Sequence, residues 1–165
     1  MPRKILLKAI MSPGDICSLT AAVESLHLTY SGEFVTGVRT NCDEIFDHNP
    51  HIESLNDGEA EIIEMHYTDL INECGSVPHP FLAGYCHHLG KSLGIPLTLK
   101  TNRPHLYLSA EERAWVHQVH QYHTQKNTRF LLVNAGVKSD YTLKQWPVEY
   151  YQEVVDHYLG QIQFV

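Results

Sequence analysis

The sequence predicts an α/β protein in which a parallel sheet is flanked by helices. Three observations carry this expectation. KILLKAI at 4–10 is a nearly continuous apolar run, as a strand covered on both faces requires. Ile16, Leu19, Val23, Leu26 and Tyr30 then recur at helical spacing, and Phe34–Val38 forms a second apolar run. Strand, helix and strand within about 35 residues make a βαβ unit, whose connection is expected to be right-handed.

The elements follow in order. Ser12-Pro13-Gly14-Asp15 reads as the turn before the first helix, which closes near Gly32. Ile62–Met65 is expected to be a strand after the turn-forming Asn56-Asp57-Gly58. A helix is expected over Pro80 to Leu93, using Phe81, Leu82, Tyr85 and Leu89 and ending before Gly94 and Pro96. Leu106-Tyr107-Leu108 is a short apolar run. Ser109-Ala110-Glu111-Glu112 matches a capping box, in which the serine and the glutamate reciprocally satisfy free backbone N–H groups. The helix it opens carries Trp115, Val119 and Tyr122 on one face, and Gln125–Thr128 reads as a linker. Phe130–Val133 restarts the pattern as a buried strand, and a long loop follows over Asn134 to Trp146. Pro147 suits a first helical position, Val148, Tyr151, Val155 and Tyr158 define the helix, and Gln161–Val165 begins another strand. The expected domains are therefore 1–127, complete, and 128–165, the start of a second.

Composition narrows the function classes. Of 165 residues 43% are hydrophobic and 19% charged, with a mean hydropathy of −0.24. That suits a buried core and excludes a disordered acidic tail. No apolar run approaches the ~18 residues of a membrane span, and the apolar stretch ending at Ile10 is too short for a signal peptide. A cytoplasmic location is the expectation. The net charge of −7 argues against nucleic acid as a partner, which needs a clustered basic surface. Twelve histidines make behaviour between about pH 5 and 7 pH-sensitive. Cys17, Cys42, Cys74 and Cys86 form no C-x-x-C pair and read as reduced, mostly buried thiols.

Two loops hold candidate chemistry. Asp15 follows the first strand at the start of a helix, and ligands of parallel α/β sheets bind at the carboxyl ends of strands. It either takes a proton from a hydroxyl nucleophile or serves as the N-cap of the helix; both roles are compatible. Lys138, Ser139, Asp140, Thr142 and Lys144 crowd a loop before a helix N-terminus. Such an end attracts anions, so the loop is either a diphosphate site or a solvated polar loop. Gly136–Ser139 lacks the first glycine of a P-loop, and no G-x-G-x-x-G, D-x-D or G-x-S-x-G occurs. His117, His120 and His123 drift across a broad helical face, and Cys86-His87-His88 points to different sides of one helix. No metal site is expected from either group.

These pieces in order resemble glycosyltransferase family 9, the ADP-heptose:lipopolysaccharide heptosyltransferases. KILLKAIMSPGDICSLTAAVESLH looks like the family's opening strand, S-x-G-D turn and helix; FVTGVRTNCDEIFDHNPHIESL and RPHLYLSAEERAWV continue it. NAGVKSDYTLKQWPVEYYQEVVDHYLGQIQFV, with its K-x-W-P element, is similar to the family's second-domain opening. The resemblance implies a GT-B fold of two Rossmann-like domains, here the first domain plus the first β-α-β part of the second. It implies inverting, metal-independent transfer of a sugar, heptose first, from a nucleotide-sugar such as ADP-heptose to a saccharide or lipid-linked saccharide acceptor such as lipopolysaccharide core. No cofactor is implied. Asp15 would be the catalytic base, Ser12 and Gly14 would bind substrate beside it, and Lys144 would pair with the donor diphosphate, with Ser139, Asp140 and Thr142 lining that loop. Cytoplasmic placement with peripheral inner-membrane contact goes with such an acceptor.

Family members run well past the last residue here, through a glycine-rich, histidine-containing segment that holds most of the nucleotide. The chain is therefore expected to be a fragment or truncated product, with an apolar strand edge at Phe164–Val165 open to self-association. The alternative is a non-catalytic acceptor- or partner-binding domain derived from such an enzyme.

Overall fold

The first strand is the centre of the fold because its neighbours cover both of its faces. In a computed structural model, which describes residues 1–72, 76–116, 119, 129–136 and 146–165, Ile5, Leu6 and Leu7 of β1 (Arg3–Ala9) are all buried. β1 pairs in parallel with β2 (Phe34–Thr40) on one side and β3 (Glu61–Glu64) on the other, giving the order β2-β1-β3. The register places Leu7 opposite Val38 and Ile63. Ile5, Leu7 and Ala9 join the main core with Ile63 and Met65. Leu6 points the other way, as alternation demands, and lies under Leu55. Gly37 makes this approach possible, since a β-carbon there would lie 3.1 Å from both Leu6 and Leu55.

α1 (Pro13–Thr29) links β1 to β2. Ile16, Leu19, Val23 and Leu26 are buried as their spacing predicts, and so are Thr20, Ala21, Ala22 and Ser25. A helix buried over so wide an arc needs a second cover, and residues 95–105 supply part of it. Ser25 Oγ accepts from Lys100 N at 2.9 Å and Thr20 Oγ1 from His105 N at 3.0 Å, while Tyr30 Oη donates to Pro96 O at 2.7 Å. Two buried hydroxyls on α1 thus satisfy backbone donors of a segment without regular structure. The helix ends at Thr29, and Gly32, at φ +76°, sits in the turn to β2.

From β2 the chain crosses β1 to reach β3, through a 3-10 helix at Asp43–Phe46. α2 (Thr68–Ile71) is a single turn, and α3 (Phe81–Leu93) packs on α1 through Tyr85, Leu89 and Leu93. Gly94 ends α3 in the left-handed region at φ +70°, the usual glycine stop. The capping box at α4 (Ala110–Ala114) is present in both directions: Ser109 N donates to Glu112 Oε2 at 2.7 Å, and Glu112 N donates to Ser109 Oγ at 3.1 Å. The helix described there stops at Ala114, so Trp115, 68% exposed, does not lie on a packed helical face; Tyr122 lies outside the described residues. Leu106 and Leu108 are exposed. Of the cysteines, Cys86 is buried, Cys17 and Cys42 are only half-buried, and all three are free thiols; Cys74 is outside the described residues.

The chain divides into two compact units, Met1–Arg113 and Ala114–Val165; the expected boundary at 127 and 128 falls outside the described residues. In the second unit β4 (Phe130–Leu131) pairs in parallel with β5 (Gln163–Phe164), with α5 (Val148–His157) between them in sequence. The strand expected over Phe130–Val133 is here only two residues long and is not buried, Leu131 being 45% exposed and Leu132, beyond it, 68%. Pro147 precedes the helix in extended conformation, one position earlier than predicted. Leu131, Val133, Trp146, Tyr151, Val155 and Phe164 line an apolar hollow of about 260 Å³. The chain is thus mixed α/β with a small parallel sheet and flanking helices, compatible with a Rossmann-like domain. No helix among the described residues is long and apolar enough to cross a membrane.

Candidate functional site

The carboxyl ends of β1 and β2 meet in a loop held by side-chain to backbone bonds. After β2, Asn41 grips the chain leaving β1: Met11 N donates to Asn41 Oδ1 at 3.1 Å, and Asn41 Nδ2 donates to Met11 O at 2.9 Å. This clamp sets the residue that opens α1. Ser12 is extended (φ −65°, ψ 152°) and its carbonyl accepts from Ile16 N at 3.0 Å, so Ser12, not Asp15, is the N-cap. Asp15 sits one turn in. Its N–H donates to Ser12 Oγ at 3.4 Å, and its Oδ2 accepts from the Ser12 hydroxyl at 2.7 Å. The capping alternative for Asp15 is corrected accordingly: the serine already occupies the position whose oxygen meets the free helix N–H groups.

Asp15 is half-buried, while Ser12, Pro13 and Gly14 are exposed. One carboxylate oxygen, Oδ2, is held by Ser12; among the described residues Oδ1 has no hydrogen-bond partner. Gly14 faces open space, the nearest atom to a β-carbon there being Ser12 Oγ at 4.0 Å. Beneath the loop Tyr85 is fully buried and its hydroxyl donates to Met11 Sδ at 3.0 Å. Burial, reinforced by the nearby Asp15 carboxylate and by Tyr67, drives the Tyr85 phenol well above its ordinary range, so it stays neutral. Tyr85 also meets the Tyr67 ring at 5.3 Å. A continuous set of contacts therefore runs from the end of β1 to the segment after β3.

Such an arrangement presents a fixed carboxylate beside a hydroxyl, above an inert aromatic floor, where parallel sheets bind ligands. A carboxylate so placed can accept a proton from an incoming hydroxyl. Ser12, Gly14 and Asp15 are brought together. Ser139, Asp140, Thr142 and Lys144 lie outside the described residues, as do His117, His120 and His123. A second, charged cleft of about 630 Å³ is lined by Glu24, Lys100, Arg103 and His105. Glu24 follows Asp15 by nine residues on α1, about 13 Å along the axis, so this cleft is separate from the Asp15 loop. Within it His105 Nδ1 pairs with Glu24 Oε2. Sequence reading missed that pair because residues 95–105 carry no periodic pattern.

On α3, Cys86 is buried, His87 exposed and His88 half-buried; the three do diverge. His88, however, turns towards His66 and Asp69, residues of other segments. The H-x-x-D spacing at the end of β3 was the available signal. Comparison of the chain with protein-family models, curated proteins and solved structures finds no match.

Proposed function

We propose that the chain belongs to an inverting, metal-independent glycosyltransferase of GT-B architecture, with Asp15 as the catalytic base. The observation that carries this reading is the Asp15 carboxylate at the carboxyl end of the central strand, oriented by Ser12. Asp15 Oδ1 takes the proton of an acceptor sugar hydroxyl as its oxygen attacks the anomeric carbon of a nucleotide-sugar; the bond to the nucleoside diphosphate breaks. The Ser12 hydroxyl positions the carboxylate, and Gly14 leaves room above the loop. Lys144 neutralises the departing diphosphate on the charge logic of a lysine near a helix N-terminus, and Ser139, Asp140 and Thr142 line the same loop. Heptose as the sugar and a lipopolysaccharide-type saccharide as the acceptor are the substrates the sequence resemblance favours.

The test is acceptor-dependent release of nucleoside diphosphate from ADP-heptose and other nucleotide-sugars. Asp15→Asn should lower turnover by about 10²–10⁴-fold, the worth of a general base, with an unchanged thermal midpoint. Wild-type turnover in Asp15→Asn would overturn the assignment.

A further inference from the structure

We propose that His66, Asp69 and His88 form a binding site for a divalent first-row transition-metal ion, with zinc the best match. None of them belongs to the machinery assigned to glycosyl transfer, and the site stands whether or not that reading holds. His66 lies two residues beyond β3, Asp69 on α2 and His88 on α3, so one ion would tie three elements together.

The geometry is close to what such an ion needs. A four-coordinate zinc with bonds of about 2.0–2.2 Å holds its ligand atoms about 3.4 Å apart. Asp69 Oδ2 is 3.6 Å from His88 Nδ1, Asp69 Oδ1 is 3.9 Å from His66 Nδ1, and ligand atoms from all three residues fall within 4.8 Å of one another. Side-chain rotations that bring the three atoms together by up to about 1.4 Å reach that spacing. The two imidazoles lie against each other with centroids 3.7 Å apart and planes tilted by 46°. Two nitrogens and a carboxylate oxygen are a donor set suited to zinc and its neighbours.

Two further observations point to a cation. His88 Nε2 is 3.0 Å from Glu64 O, a contact that places the ring N–H on Nε2, so that in the neutral ring the lone pair is on Nδ1. That is the outer-shell bond metal-ligating histidines ordinarily make. Nδ1 itself is buried and has no hydrogen-bond partner, 3.6 Å being too long for one. A cation already leans on the site, for Lys91 Nζ stands 3.3 Å from Asp69 Oδ2 on a side chain 68% exposed. An incoming ion displaces this ammonium and also the Thr68 hydroxyl, 3.1 Å from His66 Nδ1. Asp69 and His66 remain about one-third exposed, which leaves a fourth position for water.

Titration calorimetry with Zn²⁺, and absorption with Co²⁺ as a spectroscopic stand-in, test the site on the whole chain in a non-coordinating buffer. One saturable site per chain is expected, with the ligand-field bands of tetrahedral Co²⁺. Asp69→Asn and His66→Ala should each weaken it at least about 100-fold, beyond the 10–100-fold loss typical of outer-shell changes. Lys91→Ala should tighten it several-fold by removing the competing ammonium. Replacing His117, His120 and His123 together by alanine should leave it unchanged. Since His88 is packed, His88→Ala is read only beside circular dichroism, and partly exposed His66 carries the decisive comparison. Binding that survives in both Asp69→Asn and His66→Ala, or that follows the His117, His120 and His123 replacements, overturns the proposal, as does the absence of any saturable site.

Discussion

His27 should make folding weaken as the solution turns acidic. Its ring stacks on His51 with centroids 4.7 Å apart and planes within 14°, and its Nε2 lies 2.9 Å from the hydroxyl of fully buried Thr36. Burial first, and the facing His51 second, pull its pKa down from 6.5 to about 4. Between those values the unfolded chain holds a proton that the folded chain refuses, so stability rises with pH through this window. Above about 6.5 the contribution is fully present, and it is lost as pH falls to about 4. At about 1.4 kcal/mol per pH unit, discounted for partial exposure, the loss is about 2 kcal/mol. Urea denaturation at half-unit steps from pH 4 to 8 measures it, with His27→Gln as the comparison. Wild type should lose about 2 kcal/mol more than His27→Gln on acidification, with the whole difference inside the window. Parallel profiles for the two chains would refute the reasoning.

Other expectations rest on single contacts. Ser25→Ala removes the buried acceptor of Lys100 N and should cost about 1–3 kcal/mol, read by denaturant midpoint, with faster amide exchange at Lys100. Gly94→Ala places a side chain at φ +70° and should cost about 1 kcal/mol, seen as a lower melting temperature. Ser12→Ala removes the N-cap of α1 and the partner of Asp15 Oδ2; about 1 kcal/mol of stability should go with it. In the proposed transferase it should also lower turnover more than it raises KM, since Ser12 positions the base.

Much of the first unit was legible because its elements carry their own periods. The apolar run of β1, the helical spacing of α1 and the turn glycines each suffice locally. Residues 95–105 were not legible, because what holds them lies on another element: Thr20 and Ser25 look like ordinary polar helix residues until they accept backbone hydrogen bonds. The loop at Ser12 shows a nearer miss. A serine three residues before an acid identified the start of α4, and the same spacing at Ser12 and Asp15 marks the start of α1, yet Asp15 drew the capping role because Asp is itself a favoured cap. Its place at the carboxyl end of a buried strand was readable all the same. His66 and Asp69 share an H-x-x-D spacing, but His88 joins them from α3, and no one-dimensional pattern links it to that pair.

The most direct test of the central claim is whether a sugar acceptor binds at the Asp15 loop. Titrating a lipopolysaccharide-core oligosaccharide into the ¹⁵N-labelled chain should shift the amide signals of Met11, Gly14, Asp15 and Asn41 saturably, and Asp15→Asn should weaken that binding. Shifts confined to other surfaces, or none at saturating oligosaccharide, would contradict it.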